Sequence, residues 1–169
     1  MYAWIGLGSN IGEPPVQLQR AVDALASLPG TKVIAISPVY RNPPLQQPGQ
    51  AHQGQPDYLN AVAQLDTALT PPALLDALQA IEQAQGRVRR EHWSARTLDL
   101  DLLVHGNTLI TSAHLTLPHP GIAERRFVLQ PLHDIAPTLT LPDGRAICEL
   151  LAHCPPSPLV RDADLCLPH

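Results

Sequence analysis

A chain of 169 residues, 44% hydrophobic and 15% charged, can bury one domain's core and is too apolar for a disordered segment. Its formal charge of -4 argues against a broad nucleic-acid-binding face. No apolar run reaches bilayer-spanning length and no basic region precedes a hydrophobic stretch, so the expectation is a cytoplasmic protein with no membrane partner.

In chain order, Tyr2 to Leu7 is predicted as a buried strand, with Gly8-Ser9-Asn10-Ile11-Gly12 as a turn. Glu13-Pro14-Pro15 suits a helix start, and Val16, Leu18, Ala21, Val22, Leu25 and Leu28 give an apolar stripe ending at Pro29-Gly30. Lys32 to Tyr40 is predicted as one strand, followed from Asn42 to Pro56 by a long Gln/Pro/Gly-rich loop. Tyr58 to Thr67 returns to strand. Pro71-Pro72 opens a second helix with Leu74, Leu75, Leu78 and Ile81 on one face, closing at Gly86. An arginine-rich loop then leads to a strand through Asp99, and Gly106-Asn107 turns it towards a further short β segment. Glu124 to Ile135 reads as helix until Pro131 interrupts it, and Ala146 to His153 as a last short helix. Residues 1–154 are taken as a single domain, with 155–169 as a loosely packed tail. The order fits an α+β sandwich with a mainly antiparallel sheet covered by helices, closest to a ferredoxin-like plan.

The chemistry concentrates in Arg96-Thr97-Leu98-Asp99-Leu100-Asp101. Leu98, Leu100 and Leu102 alternate with Asp99 and Asp101, so both carboxylates point one way with Cα atoms roughly 6.5–7 Å apart. Such a pair can hold hard cations such as Mg²⁺, or it can be the polar face of an edge strand in water. Arg87, Arg89, Arg90 and Arg96 precede the pair, and Arg125 and Arg126 follow. Arginine is suited to bidentate recognition of phosphate, so cation and guanidinium groups together suggest a polyphosphate; a solvated basic loop is the duller reading. Neither common phosphate cradle is present: Gly6-Leu7-Gly8-Ser9-Asn10-Ile11-Gly12 is one residue too long for a dinucleotide fingerprint, and no Gly-Lys-Ser/Thr exists. Cys148, Cys154 and Cys166 read as free thiols, and the eight histidines form no zinc signature.

The chain resembles the 6-hydroxymethyl-7,8-dihydropterin pyrophosphokinases of folate biosynthesis. The likeness runs from Trp4 to about Pro142, through Ile5-Gly6-Leu7-Gly8-Ser9-Asn10, Ser37-Pro38-Val39-Tyr40-Arg41-Asn42-Pro43-Pro44 and Pro56-Asp57-Tyr58-Leu59-Asn60-Ala61. It continues in Gly86-Arg87-Val88-Arg89, the aspartate strand, Leu117-Pro118-His119-Pro120 and Glu124-Arg125-Arg126-Phe127-Val128-Leu129. Ser94-Ala95 departs from the family's frequent Gly-Pro, and the loop from Leu45 to Pro56 is expanded.

The resemblance implies transfer of the β,γ-pyrophosphoryl group of ATP to the pterin's hydroxymethyl oxygen, with AMP released and two Mg²⁺ ions on Asp99 and Asp101. It implies catalytic roles for Arg87, Arg96, Asp99 and Asp101. Around ATP it places Gln79, Glu82, Arg89, Trp93, Leu102, Thr116, His119 and Arg125, with Trp93 folding over as a lid. Around the pterin it places Tyr58 and Phe127 as a stacking sandwich, Asn60 as a reader of the amino-oxo edge, and backbone groups near Asn42, Pro44 and Leu45. The partners are then ATP and 6-hydroxymethyl-7,8-dihydropterin, with no nucleic acid, and the protein is read as a monomer. Tyr58 and Phe127 would also serve as core aromatics, Asn60 as a turn cross-link and Glu82 as a solvated carboxylate. A non-catalytic ferredoxin-like module binding a nucleotide or pterin, and a different Mg²⁺-dependent transferase, remain the alternative functions.

Overall fold

The computed structural model describes residues 1–42, 57–85 and 98–169. Its elements are β1 (Tyr2–Ser9), α1 (Pro14–Ala26), β2 (Thr31–Ile36), β3 (Tyr40–Asn42), β4 (Tyr58–Thr67), α2 (Pro71–Ala84), β5 (Asp99–His105), β6 (Ile110–Thr111), β7 (Thr116–Leu117), α3 (Arg126–Ile135), α4 (Ile147–His153) and β8 (Val160–Arg161). A 3₁₀ turn at Ile122–Glu124 precedes α3. No helix among the described residues is long and apolar enough to cross a membrane.

The main sheet runs β5-β1-β4-β3-β8, with β2 also pairing with β4, and every pairing is antiparallel. The sequence β1-α1-β2, β4-α2-β5 with order β5-β1-β4-β2 is the ferredoxin-like plan expected above. α1 and α2 cover one face: Leu18, Val22, Leu25, Leu74, Leu78 and Ile81 bury against Ile5, Leu7, Ala61, Leu65 and Leu100. Each fully buried leucine contributes roughly 1.5–3 kcal/mol. α2 starts where Thr70 accepts from the Ala73 amide at 3.4 Å and Pro71-Pro72 occupy positions whose amides have no helical partner.

α3 and α4 cover only part of the opposite face. Val128, Leu129, Leu132 and Ile147 form a second core with Trp4, Val62 and Leu103. Among the described residues, the remainder of that face has no helix over it and carries the polar side chains described below.

Two sequence expectations are corrected. Lys32 to Tyr40 is two strands, because Pro38 has no amide to continue the ladder; the Ser37 amide and hydroxyl both bond to the Val62 backbone at the break. Pro131 does not interrupt α3, which runs through it to Ile135 and gives up one internal hydrogen bond. The segment after residue 154 is mostly exposed and touches the fold at particular points. Val160–Arg161 adds a strand to β3, the Asp162 amide bonds to Val39 O at 2.8 Å, and Leu167 is buried in the first core. Arg126 holds the start of this segment through the carbonyls of Leu151, Cys154 and Pro155.

Candidate active site

Antiparallel partners project to the same side of a sheet, so the register decides which side chains meet. Gly8 pairs with Asp99 on one side and Asn60 on the other, and Gly6 pairs with Asp101 and Val62. Tyr40 pairs with Asn60, and Asn42 with Tyr58. Asp99, Asp101, Tyr58, Asn60, Tyr40 and Asn42 therefore occupy one face, on either side of two glycines that leave β1 without side chains there. A Cβ on Gly8 would lie 3.0 Å from Asn60 Oδ1 and 3.8 Å from the Tyr58 ring. The alternating glycines of β1 were the available sequence signal for this close approach, and the turn reading of Gly8 missed it.

Both aspartates are half-buried. Arg125 Nη1 stands 4.0 Å from Asp101 Oδ2, with each side chain about one-third exposed, so the pair itself adds little stability. Arg125 also lies 6.0 Å from the centre of the Phe127 ring. His119 Nδ1 accepts the Gly121 amide at 3.0 Å, which leaves its proton on Nε2. Burial, and then the Arg125 charge, push the His119 pKa down against an upward pull from Asp99, which favours neutral imidazole.

Among the described residues β5 ends the sheet, and groups bordering the site bond to its outer edge. Glu82 Oε2 accepts the Leu100 amide at 2.8 Å, and the His119 amide donates to Leu103 O at 2.9 Å. Glu82 is only 3% exposed, so it is no solvated carboxylate: it ties α2 to the peptide between the two aspartates. Leu102 is buried on the α1/α2 side, away from the aspartates, so its side chain belongs to the core. Gln79 is half-buried on α2 and Thr116 half-buried on β7.

On the acceptor side, Asn60 Nδ2 donates to Asn42 Oδ1, and Tyr40 Oη donates to Asp134 on α3. Sequence reasoning assigned Asn42 only through its backbone and did not find the Tyr40–Asp134 link. Arg87, Arg89, Trp93, Arg96, Pro44 and Leu45 lie outside the described residues, as do the arginine loop and the expanded loop.

Two carboxylates, a guanidinium and an imidazole thus share one sheet face with a half-buried aromatic and a buried carboxamide across two glycines, which defines a class of small α+β protein with a polar site on one face of its sheet. The profile of the 7,8-dihydro-6-hydroxymethylpterin-pyrophosphokinase family matches residues 4–137, and the chain belongs to that family. It is 53% identical over 152 residues to the 2-amino-4-hydroxy-6-hydroxymethyldihydropteridine pyrophosphokinase of Pseudomonas aeruginosa, covering 90% of this chain and 91% of that one. The enzyme of the same name from Haemophilus influenzae is 46% identical over 149 residues, covering 88% and 90%. Among solved structures, a Plasmodium falciparum HPPK-DHPS superposes with a TM-score of 0.70 at 14% identity, over 89% of this chain and 45% of that longer one. That likeness concerns the fold.

Proposed function

We propose that this chain transfers the β,γ-pyrophosphoryl group of ATP to the hydroxymethyl oxygen of 6-hydroxymethyl-7,8-dihydropterin, releasing AMP and the pterin diphosphate. Besides family membership, one observation carries the reading: the sheet register gathers Asp99 and Asp101 on the same face as Tyr58 and Asn60, separated by Gly8.

Asp99 and Asp101 are the residues that would hold Mg²⁺. Two half-buried carboxylates on one face fit hard cations that share their remaining positions with phosphate oxygens and water. Bound there, the cations would neutralise charge on the phosphates and orient donor and acceptor oxygens. The chain's own side chains supply the rest. Arg125 faces the carboxylates from α3's N-terminal end and can grip phosphate oxygens. His119, proton on Nε2, can donate to a phosphate oxygen without adding a full charge. Arg87 and Arg96 are assigned to the transferred group, and Arg89, Trp93, Gln79 and Thr116 to the nucleotide. Leu102 fits a backbone contact and Glu82 a supporting role beneath β5. Tyr58 and Phe127 would stack on the pterin while Asn60 reads its edge, with backbone groups at Asn42, Pro44 and Leu45 completing the pocket. Reactions of this type need positioning and charge neutralisation more than covalent help.

The test is a phosphorus NMR time course of the full chain with ATP, Mg²⁺ and 6-hydroxymethyl-7,8-dihydropterin. AMP should appear in step with a pterin diphosphate. Release of ADP or free pyrophosphate, or no turnover by folded protein, would overturn the assignment.

A further inference from the structure

A carboxamide is nearly symmetrical in shape and opposite in chemistry at its two ends: Nδ2 carries two donors and Oδ1 only acceptors. Asn60 can select a ligand edge only if something decides which end faces which way. The structure holds the donor end and leaves room for the acceptor end. Towards β3, Nδ2 donates to Asn42 Oδ1. Towards β1, Oδ1 sits against Gly8, where no side chain competes for the space. Asn60 is 6% and Asn42 7% exposed, so bulk water is a poor substitute for the bond between them. Asn42 and Asn60 lie on adjacent strands of one rigid ladder, with Asn42 opposite Tyr58 and Tyr40 opposite Asn60.

We infer that the Asn42 side chain is a positioning residue for acceptor specificity: it fixes the orientation of the Asn60 carboxamide and so the order in which the site offers a donor and an acceptor. The inference deepens the proposed function and rests on Asn60 as the pterin reader. With Nδ2 held on the β3 side, Asn60 presents its second N–H and Oδ1 in one order. The favoured ligand is a 2-amino-4-oxo heterocycle that complements that order; the isomer with amino and oxo groups exchanged offers the reverse. A flip of Asn60 alone would set its oxygen against the Asn42 oxygen. Restoring the bond would require both amides to turn together, so the orientation of residue 60 is coupled to the side chain at residue 42.

The experiment is a set of calorimetric titrations of the full chain, with Mg²⁺ and α,β-methylene-ATP present. The titrants are 6-hydroxymethylpterin and its 4-amino-2-oxo isomer, and the nucleotide analogue is titrated separately. Asn42→Ala should weaken pterin binding about tenfold, the scale of one lost hydrogen bond, and shrink the preference over the isomer by at least about fivefold. Nucleotide affinity should not change. Asn42→Asp keeps an acceptor that can only receive from Asn60 Nδ2, so it should retain the preference that the alanine variant loses. The inference is overturned if Asn42→Ala keeps the wild-type preference, if pterin and nucleotide affinities fall together, or if Asn42→Asp discriminates no better than Asn42→Ala. Asn60→Ala separates the two levels: if it leaves pterin affinity unchanged, Asn60 is not the reader and the site assignment fails. If it weakens pterin while Asn42→Ala does nothing, only the role of Asn42 fails.

Discussion

The two faces of the sheet are built from the same strands and do opposite jobs. On the α1/α2 side the central inward positions of β1, β4 and β5 are apolar, from Ile5 and Leu7 through Leu59, Ala61, Ala63 and Leu65 to Leu100 and Leu102, with the buried polar side chains Ser9, Thr67 and His105 only at the strand ends. On the other side apolar cover stops at Trp4, Val62 and Leu103, and the same three strands then present glycines, Asp99, Asp101, Tyr58 and Asn60. Successive residues alternate between these faces, so Leu100 anchors the peptide while Asp99 and Asp101 project from it. The core thereby holds the site's backbone rigid from the opposite face of the sheet.

Substitutions on the two faces should therefore separate activity from stability. The largest effect is expected for Asp99→Ala or Asp101→Ala, with turnover falling by several orders of magnitude, roughly a thousandfold or more, and circular dichroism and thermal midpoint unchanged. Near-normal turnover in either variant would remove the pair from the mechanism. Leu78→Ala, fully buried on the opposite side, is the converse: a loss of about 2–5 kcal/mol in urea unfolding, with the KM of the folded fraction intact. Glu82→Ala blurs the division. It strips the partner from the Leu100 amide and should cost roughly 1–3 kcal/mol while also lowering turnover, because Leu100 lies between the aspartates. A Glu82→Ala enzyme that loses stability and keeps full turnover would show that the edge bond does not position them.

The smallest effect depends on pH. Burial and the hydrogen bond to Asp134 push the Tyr40 pKa up to about 12, from an ordinary value near 10. A folded-state pKa above the unfolded one means that this stabilisation is complete below pH 10 and disappears as pH rises towards 12. Tyr40→Phe should cost about 1–2 kcal/mol at neutral pH and flatten that part of the decline. Urea midpoints for both proteins at pH 9 and 11.5 would reveal it; parallel declines would refute the link.

Much of this division was legible in the residues. Leu98-Asp99-Leu100-Asp101-Leu102 alternates too cleanly to misplace, and two proline-led helices with apolar stripes located the covering layer. Tyr58 and Asn60, two apart in a strand pattern, could be placed on one face. What escaped detection depended on partners remote in sequence. The contact between Asn42 and Asn60 exists only because β3 breaks from β2 at Pro38 and re-pairs with β4. Glu82 looks like any polar helix residue until β5 supplies an amide for it. The 155–169 segment has no periodicity because two residues of strand, one buried leucine and one partly buried leucine suffice to dock it on a preformed edge.

β1 is hydrogen-bonded to neighbours on both sides along nearly its whole length, with β4 from Tyr2 to Ser9 and β5 from Ala3 to Gly8. In amide-exchange terms, its central peptides should open only with the whole fold, so Gly6 and Gly8 belong to the slowest-exchanging set. The floor between the proposed donor and acceptor sites is thus set before either ligand arrives, and the entropic cost of ordering it falls on folding and not on binding.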